Sequence, residues 1–347
     1  MQRLSTSTGL LGVAAMALAL TGCGQADSGN TAADTSEDGI QVVASTNVYG
    51  DIAQTIGGEN VSVNSIVDSL AQDPHSYEAT VQDKLAVSEA DLLIENGGGY
   101  DPFLHLLADE VEMDHDYLIS AVSESGFEGF EEEHEDEGEH AGEDEHAGES
   151  AEEHAGESAE EHAGESAEEH AHGSANEHVW YDLNTMRAVA AAIGEKLTAL
   201  DPDNAGVYSA NVEEFDAGIT ALTERLSELG EASAGQTVAI TEPVPVYLLE
   251  AAGLENVTPN GYSEAIEEGS DVSIAVLNEM MSLMEDESLA FLAYNEQTES
   301  PQTQTVRDAA DEAGVEIVNF TETVPEGEDF LSWMTSNVDG IESVLAP

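Results

Sequence analysis

The sequence holds one cysteine, only six lysines and arginines together, and aromatic residues at 5% of its 347 positions. One cysteine leaves no disulfide within the chain. So few cations nearly exclude nucleic acid as a partner, because a phosphate backbone needs lysine and arginine to replace its counterions. Against them stand 74 aspartates and glutamates, for a formal net charge of −68 at pH 7. A surplus that large also repels an anionic bilayer surface. It suits a cationic ligand only weakly. For the 54 acidic residues outside 131–177, surface acidity that serves solubility is the plainer reading. Long apolar runs are missing too: the run over 9–20 is too short to span a bilayer as a stable helix. Hydrophobic residues still make up 41%, and the length suffices for two lobes, each with its own core.

Arg3, the apolar run and Leu20-Thr21-Gly22-Cys23 read in order as a secretory signal ending in a cysteine. The last four residues resemble a bacterial lipobox, whose cysteine is lipidated and becomes the new N-terminus. We therefore expect a signal peptide over 1–22, a lipid on Cys23, and an extracytoplasmic protein anchored to the outer face of the cell membrane. Residues 23–40 are rich in Ser, Thr, Asp, Ala and Gly and are expected to form a flexible tether.

Folded sequence is expected from Gln41. Buried strands at 41–45, 61–67 and 91–95 alternate with helices at 48–56 and 81–88, which indicates an α/β lobe with a parallel sheet. The pattern breaks over 131–177. His146, His154, His162 and His170 recur every eight residues in a His-Ala-Gly-Glu-Ser-Ala-Glu-Glu repeat, joined by His134, His140 and His172. This stretch has no apolar periodicity and is expected to be disordered. Helices follow at 183–200 and 204–229, the second with Val207, Tyr208, Val212, Phe215, Ile219, Leu222 and Leu226 on one stripe, ended by the stretch from Gly230 to Gly235. A second α/β set has strands at 237–241, 289–294 and 316–320. The expected architecture is an N-terminal α/β lobe over 41–200, a linking helix over 201–230 and a C-terminal α/β lobe over 231–347.

Four residues stand where loops leave strand ends, the ligand-binding edge of open α/β sheets. They are His75 in Asp73-Pro74-His75-Ser76-Tyr77-Glu78, His178 in His178-Val179-Trp180-Tyr181-Asp182, Glu242 after the strand ending at Thr241, and Glu322 after the strand ending at Phe320. Two imidazoles and two carboxylates make a complete metal set. Four protein ligands with no open position suit binding better than catalysis. Its oxygen-rich half leans toward harder ions such as manganese. Asn295-Glu296-Gln297, after another strand, is a lesser candidate nearby.

Val42-Val43-Ala44-Ser45-Thr46-Asn47-Val48-Tyr49-Gly50-Asp51-Ile52, Asp73-Pro74-His75-Ser76-Tyr77-Glu78-Ala79-Thr80, the acidic histidine-rich tract and His178-Val179-Trp180 together resemble the zinc/manganese solute-binding lipoproteins of ABC importers. The resemblance covers nearly all of 41–345. It implies two α/β lobes joined by one long rigid helix, with the metal site in the cleft between them. It also implies ligands at His75, His178, Glu242 and Glu322, with glutamate at the third position as in manganese-type members. The tract accompanies zinc-type members and would collect metal through its seven histidines. The bound ion is accordingly expected to be Zn2+, with Mn2+ next. The expected partners are an importer permease with a separate ATPase subunit, and the chain itself is expected to be a monomer.

Rival functions are a metal-dependent adhesin and, further off, a zinc hydrolase using Glu242 or Glu322 as general base. No His-Glu-x-x-His, P-loop or Gly-x-Ser-x-Gly elbow occurs, Gly97-Gly98-Gly99 lacks the dinucleotide fingerprint, and Asp201-Pro202-Asp203 has Val212 where an EF-hand needs glutamate. We expect a binding protein and not an enzyme.

Overall fold

A computed structural model describes residues 39–130 and 175–345. Cys23, the signal and tether through residue 38, and the tract with His134, His140, His146, His154, His162, His170 and His172 lie outside the described residues. Among the described residues, no helix is long and apolar enough to cross a membrane.

The first half of the chain runs β1 (Ile40–Thr46), α1 (Asn47–Gly57), β2 (Val61–Val67), α2 (Val81–Ser88), β3 (Leu92–Glu95), α3 (Pro102–Glu110), β4 (Leu118–Ser120) and α4 (Ala121–Ser125). After α5 (Leu183–Leu200) and α6 (Ala205–Ser233), the second half runs β5 (Thr237–Ile240), α7 (Val246–Ala251), β6 (Glu255–Asn256), α8 (Ser263–Glu267), α9 (Ile274–Leu283), β7 (Leu289–Asn295), α10 (Pro301–Ala313), β8 (Glu316–Phe320) and α11 (Phe330–Leu345). Each half forms a four-stranded sheet in which every pairing is parallel. The orders are β2-β1-β3-β4 and β6-β5-β7-β8. Both orders reverse direction at the middle pair, β1/β3 and β5/β7. That reversal opens a crevice at the carboxyl ends of the strands, where open α/β sheets bind ligands.

Strand alternation explains how the two sheets are covered. Val42, Ala44, Leu92 and Ile94 face the same core as Val238, Ile240, Phe291 and Ala293 of the other sheet, together with side chains of α1, α5, α6 and α11. The alternate residues turn outward to separate clusters. Val43 and Leu93 meet Val87, Phe103, Leu104 and Leu107 of α2 and α3, whereas Ala239, Leu292 and Tyr294 meet Met280, Val306 and Ala310 of α9 and α10. One continuous core therefore ties both halves together.

The linking helix α6 has 29 residues, about 43 Å at 1.5 Å per residue. It runs past Leu229 to Ser233 and ends inside the 230–235 stretch expected to close it. Packing is the reason: the turn at Gly253 lies directly on Gly230, and Ser233 Oγ donates to Leu229 O (2.8 Å) and Ala252 O (2.6 Å). Gly253 has φ 71°, and a Cβ there would come within 2.8 Å of Gly230 Cα. Gly253→Ala is therefore expected to cost about 2 kcal/mol or more, from left-handed strain plus backbone overlap. A lowered urea midpoint with an unchanged denaturant slope would bear this out.

Candidate metal site

His75 sits in the loop between β2 and α2. Pro74 stiffens that loop, and Asp73 folds it: its Oδ1 accepts from His75 N (2.9 Å) and its Oδ2 from Ser76 Oγ (2.8 Å). Beyond the histidine, Thr80 and Asp83 form a reciprocal cap that starts α2, and Tyr77 OH also donates to Asp83 (2.9 Å). The imidazole meets Tyr100 edge-on, with centroids 4.6 Å apart.

His178 is fully buried just before α5, whose first turn is fixed by Asp182 accepting from Thr185 N (2.9 Å). The Trp180 ring packs against both His178 and Tyr100, whereas the Tyr181 ring turns to Phe320 and Trp333. Asn176 Oδ1 lies 2.7 Å from His178 Nδ1, so that nitrogen carries the proton and Nε2 offers its lone pair to the cleft. Burial lowers the pKa of both histidines, with His75 lowering His178 further and Asp73 partly opposing the shift at His75. Both imidazoles are thus held in the neutral, metal-binding form. Asn176→Ala is expected to weaken metal binding by roughly 10–100-fold, the usual cost of losing an outer-shell partner. Competitive titration against a chelator measures it.

Glu322 and Glu242 approach from the second half. Glu322, 1% exposed, accepts from Tyr100 OH (3.1 Å) and Asn295 Nδ2 (2.8 Å). Glu242 accepts from Thr298 Oγ1 (2.6 Å at Oε1, 2.5 Å at Oε2) and from the same Asn295 amide. His75 Nε2 lies 3.7 Å from Glu322 Oε2. One donor atom each from His75, His178 and Glu322 falls within 4.8 Å of the others. Of the four residues picked from the sequence, the structure brings these three together, and Glu242 is joined to Glu322 through the Asn295 amide. Of the lesser candidates, Gln297 Oε1 accepts from Glu322 N (3.1 Å), while Glu296 is exposed.

Two carboxylates escaped the sequence reading. Glu177 Oε1 is 3.5 Å from His75 Nδ1, and Glu267 Oε1 is 3.2 Å from His178 Nε2 and 3.7 Å from His75 Nε2. The tract was expected to run through 177, yet Asn176 and Glu177 already belong to the site wall, with Asn176 Nδ2 donating to Pro243 O (2.9 Å). Nothing local marks Glu267, which ends the short helix α8.

Burial raises the pKa of all four glutamates: Glu267 to about 9, Glu322 to about 8, Glu177 to about 7 and Glu242 to about 6. For Glu267 and Glu322, the neighbouring carboxylates raise it further. Carboxyl groups crowded in a dry place around two neutral imidazoles give up their protons to a divalent cation, which then compensates all of them at once.

A sequence model of the family described as "Zinc-uptake complex component A periplasmic" matches residues 42–344. The manganese ABC transporter substrate-binding lipoprotein scaA of Streptococcus gordonii is 26% identical over 346 residues, covering 95% of this chain and 96% of that one. The manganese-binding lipoprotein MntA of Halalkalibacterium halodurans is 27% identical over 248 residues, 70% of this chain and 66% of its own length. Among solved structures, a ZnuA crystal structure superposes with a TM-score of 0.63 at 19% identity, covering 89% of this chain and 98% of that one. The periplasmic zinc binding protein TroA from Treponema pallidum does so with a TM-score of 0.61 at 19% identity, covering 89% and 100%. These last two likenesses concern the fold. Because the family match spans both sheets, the linking helix and every residue of the cleft, the chain belongs to the family of the periplasmic component A of zinc-uptake complexes.

Proposed function

We propose that this protein is the solute-binding component of a metal ABC importer. It captures a divalent ion with His75, His178, Glu242 and Glu322 and hands it to a membrane permease served by a separate ATPase. The observation that carries this reading is the convergence of His75, His178 and Glu322 donor atoms within 4.8 Å, with His75 in the loop after β2 and Glu322 in the loop after β8. Family membership supports it, since the members are solute-binding proteins and not enzymes. The chain acts outside the cell membrane, held there by a lipid on Cys23, in keeping with relatives described as lipoproteins.

Zinc is the favoured ion. Two neutral imidazoles suit it, carboxylates are also good zinc ligands, and the histidine-rich tract adds borderline nitrogen donors that collect it. Manganese is the second reading. It is favoured by Glu242 in the cleft and by the manganese-binding relatives. Dialysis of the full chain against equal free zinc and manganese, followed by elemental analysis, should leave one zinc in the cleft that His75→Ala abolishes. Manganese retained there in place of zinc would overturn the zinc preference. Delivery is tested in cells: deleting the protein should lower cellular accumulation of the metal, and wild type but not His75→Ala should restore it.

A further inference from the structure

A second group of metal-binding side chains converges in the first half of the chain. His105 and Asp109 stand four residues apart on α3 and so share a face of that helix. His115 comes from the turn that leads into β4. One donor atom from each of the three lies within 4.8 Å of the other two. His115 Nε2 is 3.1 Å from Asp109 Oδ1, and the two imidazole centroids are 5.2 Å apart.

Behind them stands Glu95, the last residue of β3. It is 4% exposed, with Oε1 3.3 Å from His105 Nδ1, while its buried Oε2 has no hydrogen-bond partner among the described residues. A buried carboxylate with an unpartnered oxygen is costly unless a positive charge compensates it. Glu95, His105 and His115 line one cavity of about 520 Å³. None of His75, His178, Glu242 or Glu322 lines it. The lysine in its wall, Lys196, is tied to Asp116 O.

We propose that His105, Asp109 and His115 form a second metal site for zinc or another borderline divalent cation, with Glu95 orienting His105 from behind. Two imidazoles and one carboxylate are a zinc donor set, and a carboxylate against the far nitrogen of a ligating histidine is the usual outer-shell arrangement. Asp109 and Glu95 together neutralise a divalent charge. Three protein ligands leave one position to solvent, and Asp109 (56% exposed) and His115 (32%) give the ion a way in. The site therefore loads and releases metal at the surface, in contrast to the enclosed cleft. With nitrogen ligands in the majority, it discriminates against manganese.

The test is zinc soaking of crystals of the full chain, with an anomalous difference map recorded at the zinc absorption edge. The expected result is a peak about 2.0–2.1 Å from imidazole nitrogens of His105 and His115. It should disappear in His115→Ala while any zinc in the cleft persists. Soaking with manganese at the same concentration should leave the position empty. The proposal is overturned if zinc at saturating concentration leaves no peak there, or if the peak persists in His115→Ala. Because the two sites share no ligand, the cleft reading can fail while this one holds, and the reverse.

Discussion

Glu322→Gln is expected to lower metal affinity by well over 100-fold while leaving the metal-free protein as stable as before, or more so above neutral pH. The two effects have opposite signs for one reason. The Glu322 carboxylate is 1% exposed, and burial followed by the charge of Glu242 raises its pKa to about 8. In the metal-free protein its negative charge is a cost. With a divalent cation bound, that charge is the attraction, and losing a direct ligand should exceed the roughly 10–100-fold cost of losing an outer-shell partner. Glutamine keeps the shape but has one acceptor oxygen, so it can accept from Tyr100 OH or from Asn295 Nδ2 and not from both. Competitive titration reads the first effect, and urea unfolding at pH 8.5 without metal reads the second. Equal losses in both would mean that Glu322 is a structural residue.

Metal-free protein is expected to lose stability between pH 7 and 9, whereas metal-saturated protein does not. Ordinary carboxylates are already ionised at pH 6, so the general repulsion of a −68 chain changes little across this window. His75 and His178, with lowered values, add an opposing gain of stability that is complete by about pH 7, and what titrates beyond it are the buried glutamates, with pKa values of about 7 for Glu177, 8 for Glu322 and 9 for Glu267. Their folded-state values lie above the unfolded one, so the folded state binds more protons. The stability they contribute is complete at low pH and is lost as pH rises through 7 to 9. Allowing for coupling among the three, a loss of about 2 kcal/mol corresponds to a fall in Tm of roughly 4–8 °C. A bound divalent ion compensates the anions and adds its own binding free energy, so the gap between the two forms widens with pH. Protons are released on binding at pH 7, which calorimetry in buffers of different ionisation enthalpy measures. A metal-free Tm that is flat or rising from pH 7 to 9 would refute the electrostatic description of the cleft.

β1, β3, β5 and β7 could be read from the sequence because nearly every residue of each is buried and the apolar runs are nearly continuous. β2, α2 and β8 fall where the residues placed them, and α5 begins and ends on its expected residues because Asp182 caps it and Asp201-Pro202 closes it. α3 and β4 carried no such mark: the strand has three residues, and the helix exposes Leu106 on its outer side. α6 runs past Leu229 because Gly230 packs on Gly253, 23 positions away. The site followed the same division. His75, Glu242 and Glu322 could be picked out after strand ends, and His178 from the His178-Val179-Trp180-Tyr181-Asp182 segment that follows the tract. Glu267 could not, because only the folded chain brings one glutamate among 74 acidic residues against two histidines. His105 and His115 were equally silent, lying ten residues apart with neither at a strand end.

The central claim is that the tight metal site is the cleft and not the histidine-rich tract. Calorimetric titration with zinc, in competition with a chelator, tests it on three forms of the full chain: wild type, His75→Ala, and a variant with His134, His140, His146, His154, His162, His170 and His172 all replaced by alanine. The account predicts one tight site that survives replacement of the seven tract histidines and is lost with His75. Tight binding that vanishes with the tract and is indifferent to His75 would contradict it.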